Sequence, residues 1–144
     1  MSSVEERLQV LEDREAIRAL LATYRRALDE KDFEAYADLF GDDGEFVAGG
    51  RTVRGRAEIL PMLADLQAAG ALSVAAGDDR HLMANVEIAV DGDRATALST
   101  WVYLTRGAGD EPQLALVGHY EDELRRTAAG WRFARRAAPC DIPG

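Results

Sequence analysis

Apolar residues recur every three or four positions near the start of the chain, at Leu8, Leu11, Ala16, Ile17, Leu20, Leu21, Tyr24 and Leu28. That spacing lines one face of a helix and predicts, from Val4 to Leu28, one long amphipathic helix or two joined by a kink. Asp32 ahead of Phe33, Tyr36, Leu39 and Phe40 reads as the N-cap of a short second helix, which Gly41 stops. The sequences 45–47 and 51–53, divided by Gly49-Gly50, look like a small strand pair, and residues 56–69 return to helical spacing before Gly70.

Beyond that point the period changes. Residues 81–90, 95–105, 114–125 and 131–137 are β-rich runs separated by Asp91-Gly92-Asp93, by the glycine-rich stretch 106–112 and by Ala128-Ala129-Gly130. Three hairpin-like connections in succession imply an antiparallel meander. Helices first and an antiparallel sheet afterwards is the α+β pattern, here expected as a curved sheet wrapping over the helices to enclose an apolar pocket. No linker, repeat or low-complexity tract divides the 144 residues, so residues 1–144 read as one domain. The other face of the sheet is then solvated or paired, and Val86, Ile88, Leu98, Val102 and Val117, assigned to it, leave enough apolar surface for a homodimer through it.

The net charge of −9 repels phosphate backbones and argues against nucleic acid or an anionic membrane as partner. The N-terminus is charged throughout and no stretch approaches ~20 apolar residues, which gives the expectation of a cytoplasmic protein. Cys140 is the single cysteine, so no internal disulfide forms, and it reads as an incidental tail thiol. Two histidines without HxxxH or CxxC spacing offer no dedicated metal site, and no metal or other cofactor is expected.

Chemistry concentrates at a few positions. Asp29 ends the first helix, where the helix dipole disfavours a carboxylate, so it is either a compensated functional group or a solvated turn residue. His81 opens the first long strand and lies at the mouth of the space between sheet and helices, as a catalyst or as a satisfied polar residue. Tyr24 falls on the buried helical stripe, and its hydroxyl needs a partner inside. Trp101 and Tyr103 share one strand face, as do Leu116, Gly118 and Tyr120, giving an aromatic pocket wall if those faces point inward. His119 alternates with Tyr120 and belongs on the outer face or at a dimer contact. Either Arg135 or Arg136 closes the pocket with a positive charge, or both are solvated.

Tyr24-Arg-Arg-Ala-Leu-Asp29-Glu-Lys-Asp-Phe33, Tyr36-Ala-Asp-Leu-Phe40, Arg80-His81, Gly118-His119-Tyr120 and Gly130-Trp131-Arg-Phe133 together resemble the SnoaL-like branch of the nuclear transport factor 2-like superfamily. The resemblance runs from Glu5 to about Ala138 and implies a cone-shaped, cystatin-like barrel. It is specific for fold and poor for substrate, because the superfamily includes dehydratases, isomerases, polyketide cyclases and non-enzymatic binders. Scytalone dehydratase, the bile-acid dehydratase and the hexachlorocyclohexane dehydrochlorinase have an aspartate after the first helix paired with a histidine at the first long strand, positions matched by Asp29 and His81. Tyr24 and Arg136 match a further tyrosine and arginine of such relatives, whereas Tyr103 stands where relatives carry a polar or acidic residue. The resemblance therefore implies a cofactor-independent lyase or isomerase, with His81 the base, Asp29 its orienting group and Tyr24 a hydrogen-bond donor. Trp101, Tyr103, Leu116, Tyr120 and Arg136 would contact a small hydrophobic cyclic or ketone-type substrate. A non-catalytic module binding a small ligand in the same pocket is the alternative.

Overall fold

A computed structural model describes residues 2–144. The first helix, α1 (Val4–Glu30), is unbroken, and Ser3 and Glu6 close a reciprocal capping box at its start. Its first two turns are not packed into the core: Leu8 and Leu11 are exposed, and burial begins at Asp13 and continues through Ile17, Leu20, Leu21, Tyr24 and Leu28. Arg126 from the sheet grips the buried Asp13 carboxylate with two hydrogen bonds of 2.8 and 2.7 Å, fixing the helix against the sheet at that level. At the other end Lys31 takes a left-handed conformation (φ 63°) and turns the chain into α2 (Phe33–Ala37), capped by the Asp32 side chain.

The second helix is shorter than its sequence pattern suggests. Gly41 does not terminate it but lies inside β1 (Phe40–Ala48), because Phe133 N–H donates to the Leu39 carbonyl and Phe40 takes its place opposite Phe133. Sheet pairing outweighs the helical spacing of Leu39 and Phe40. There follow β2 (Arg51–Arg54), α3 (Arg56–Ala68), β3 (Asp79–Asp91), β4 (Arg94–Arg106), β5 (Pro112–Thr127), β6 (Gly130–Ala137) and β7 (Cys140–Ile142).

The strand order is β2-β1-β6-β5-β4-β3, with β7 added to β5. The expected meander is present from β3 to β6, but the sheet as a whole is mixed, since β1 runs parallel to β6. These two strands are far apart in the chain, so no local turn dictates their direction. The seven strands form a curved sheet over the helices and do not close into a barrel.

Two residues assigned to the outer face belong inside. Asn85 takes a left-handed conformation (φ 55°) at a register shift between Ala84 and Glu87. One extra residue reverses the two-residue alternation, so Val86 and Ile88 pack against the core. Leu98, Val102 and Val117 remain outside, with Leu82 paired to Val102 and Val102 to Val117. Gly118 is required where it stands, because a Cβ there would overlap the Trp101 ring and the Pro139 carbonyl.

Candidate active site

The last turn of α1 and the first residues of β3 meet at Asp29 and His81. The Asp29 carboxylate accepts the His81 backbone N–H at 3.1 and 3.2 Å, and its Oδ1 lies 2.8 Å from His81 Nδ1. Arg25, one turn earlier, adds a 3.2 Å ion pair. These contacts offset the unfavourable dipole at a helix C-terminus. Asp29 and His81 are 6% and 9% exposed, so this is no solvated turn carboxylate. With Nδ1 facing a carboxylate, the neutral ring carries its proton there and presents the Nε2 lone pair, the arrangement suited to a general base.

Tyr103 lies against the imidazole, with ring centroids 4.6 Å apart. Its hydroxyl donates its proton to Asp79 at 2.6 Å. Asp79 also takes a 2.6 Å ion pair from Lys31 and the Ser73 backbone N–H at 2.8 Å. Burial acts to raise its carboxyl, but the lysine, tyrosine and backbone donors prevail and hold it at about 2.

A second polar group occupies the middle of the expected cavity. Arg136 and Asp122 are wholly buried and joined by bonds of 2.8 and 3.2 Å. The guanidinium carbon lies 3.5 Å from the Tyr120 ring centroid, 4.1 Å from that of Tyr24 and 4.7 Å from that of Phe133. Arg136, rather than Arg135, is therefore the inward arginine, but it is neutralised in the core and does not stand as a free charge at the rim. The Tyr24 hydroxyl is 2.9 Å from that of Tyr36, and burial pushes both phenols upward, keeping them neutral donors. Trp101 and Tyr120 face inward as expected and are buried, and Leu116 is half-buried beside them. Side chains thus fill much of the space that the strand alternation suggests as an open aromatic pocket. A hollow of about 320 Å³ at the β3–β4 end is bordered by Asp79, Arg80, Thr105 and Arg106. Among the buried side chains described, Arg136 Nη1 and Ser99 Oγ have no hydrogen-bond partner.

Residues 9–137 match the SnoaL-like domain. The chain belongs to the SnoaL-like family. Over 129 residues, 88% of this chain and 84% of the relative, it is 31% identical to the uncharacterised protein Rv2910c of Mycobacterium tuberculosis. Among solved structures it is similar to an NTF2-like protein with a cystatin-like fold from Novosphingobium aromaticivorans (35% identity, TM-score 0.84, 97% of this chain and 91% of that one). It is also similar to a protein of the same organism provisionally named a scytalone dehydratase (25% identity, TM-score 0.73, 90% and 85%). The SnoaL-like identity agrees with the sequence resemblance and with the cystatin-like architecture.

Three groups in this SnoaL-like interior escaped the sequence reading. Asp122 shares the inner face with Tyr120 by strand alternation, which was the available signal. Asp79 precedes His81 by two residues on the same face, but its position in a charged turn disguised it. Lys31 gave no signal, since its burial depends on a left-handed cap. His119 lies on the outer face as expected, 2.7 Å from Asp141, and Cys140 is exposed in β7. No described helix is long and apolar enough to cross a membrane.

Proposed function

We propose that the chain is a cofactor-independent lyase or isomerase of the dehydratase kind, using His81 as base on a small hydrophobic cyclic or ketone-type substrate. The observation that carries this reading is the buried 2.8 Å contact between Asp29 Oδ1 and His81 Nδ1. His81 Nε2 takes a proton from carbon beside a carbonyl. The released electron pair forms a carbon–carbon double bond as halide departs, or as hydroxide departs and takes the proton back from the imidazolium as water; alternatively it passes to the carbonyl oxygen and returns when the imidazolium protonates a different carbon. Asp29 holds the tautomer and stabilises the imidazolium formed. Base catalysis of this kind contributes about 10²–10⁴-fold, and orientation in a water-poor interior supplies the rest.

Hydrogen-bond donors for the developing oxyanion would come from the Tyr24–Tyr36 hydroxyl pair and from Arg136 Nη1 and Ser99 Oγ, which have capacity left once the side chains that fill the interior part around a substrate. Because Asp122 balances Arg136, this end of the site suits a carbonyl or hydroxyl oxygen better than a permanent carboxylate. Trp101, Tyr120 and Leu116 would supply the apolar contacts.

The protein would act as a homodimer through the outer sheet face. Leu82 and Leu98 are each 49% exposed there, and the Leu82, Val102 and Val117 positions adjoin across three strands. The enzymatic reading is tested by screening C–H acids for turnover with wild type and His81→Ala. An enzyme loses turnover in the variant while keeping ligand affinity within about tenfold, since Ala removes the base and not the binding surface. Binding without turnover in the wild type identifies a carrier instead.

A further inference from the structure

We infer that Asp79, paired with Lys31, is a positioning residue for the His81 ring, acting through Tyr103. The inference rests on the proposed role of His81 as base. Asp79 and His81 are two residues apart on one face of β3, and Tyr103 stands directly opposite His81 on β4. The Tyr103 ring covers the imidazole at 4.6 Å and an interplanar angle of 34°. What keeps it there is its hydroxyl, donated to Asp79 Oδ2 at 2.6 Å.

The carboxylate is anchored from two other directions. Lys31 Nζ, at the left-handed cap of α1, meets Oδ1 at 2.6 Å, and the Ser73 N–H, from the connection after α3, meets Oδ2 at 2.8 Å. The lysine side chain is 9% exposed and that of Asp79 1%, a degree of burial that separates the pair from an ordinary surface ion pair. One carboxylate therefore fixes the helix end that carries Asp29, the strand that carries His81 and the ring that stacks on it. Asp29 restrains the imidazole at Nδ1, and Tyr103 restrains its plane. Together they restrain the ring both at Nδ1 and across its face. A base needs that restraint, since misplacement by about 1 Å costs on the order of 100-fold in rate.

The experiment uses full-length protein labelled at histidine and read by NMR. There are two histidines, so His119→Gln assigns His81. In the wild type the His81 ring protons are expected to carry the upfield ring-current shift of the Tyr103 face and to show cross-peaks to that ring. Asp79→Asn and Tyr103→Phe are each expected to reduce that shift and weaken the cross-peaks, with Lys31→Met showing a smaller change. Tyr103→Phe conserves the ring and its packing, so it remains informative if Asp79→Asn fails to fold. Unchanged His81 signals in Tyr103→Phe overturn the inference. The readout is independent of turnover, so full activity in His81→Ala would defeat the proposed function without altering this result.

Discussion

Asparagine at position 122 keeps the shape of the aspartate and removes its charge, leaving the Arg136 guanidinium as an uncompensated cation with a wholly buried side chain. The native pair is linked by hydrogen bonds of 2.8 and 3.2 Å, and breaking one side of a buried pair costs about 3–5 kcal/mol. The three aromatic faces around the guanidinium and the one acceptor that asparagine retains offset part of this, so the expected loss is about 3 kcal/mol. For a chain of this length each kcal/mol corresponds to roughly 2–4 °C, giving a fall in Tm of about 6–12 °C. Burial pushes the Asp122 carboxyl up despite its arginine partner, as the desolvation cost of a buried pair requires. The double replacement Asp122→Leu with Arg136→Met should accordingly recover most of the stability. Urea unfolding monitored by tryptophan fluorescence measures both. Asp122→Asn within about 1 kcal/mol of wild type would mean that the buried guanidinium does not depend on this carboxylate.

Asp79 gives a pH prediction. Its folded carboxyl titrates at about 2, below an unfolded value near 3.9, so its contribution is complete above about pH 5 and lost as the pH falls towards 2. Asp79→Asn should cost up to about 2 kcal/mol at pH 7 with the difference narrowing in acid, whereas a pH-independent difference in urea midpoints would contradict it. Gly118→Ala should destabilise by about 1–3 kcal/mol, because both the Trp101 ring and the Pro139 carbonyl occupy the required space; an unchanged midpoint would mean that the Trp101 contact is loose. Val102→Glu, at the centre of the outer apolar row, should give a monomer by light scattering; a wild type already monomeric at high concentration would remove the proposed dimer.

Strong periodicities made most of the architecture legible. The 3.6-residue stripe of α1 and the alternation of β4 and β5 specified which residues turn inward, and Tyr24, Trp101, Tyr103 and Tyr120 are buried accordingly. What the pattern could not convey depends on single residues in unusual conformations or on partners distant in the chain. The left-handed Asn85 reversed the facing of Val86 and Ile88, and pairing with β6 converted Leu39–Gly41 from helix end to strand entry. At the site, Asp29 and His81 were identifiable as candidates, whereas their 52-residue separation hid the contact itself. Asp122 and Asp79 are charged residues on inward faces, and only the positions of Arg136, Lys31 and Tyr103 explain why they are tolerated there.

As a working base, His81 held by Asp29 should remove a proton from carbon. This role is tested most directly by following deuterium exchange into a panel of cyclic ketones in D₂O with wild type, His81→Ala and Asp29→Asn, each first shown to be folded. Wild type is expected to exchange the carbon-bound proton of at least one member, and both variants to lose about 10²–10⁴-fold of that rate. Exchange that persists at the wild-type rate in His81→Ala would contradict it.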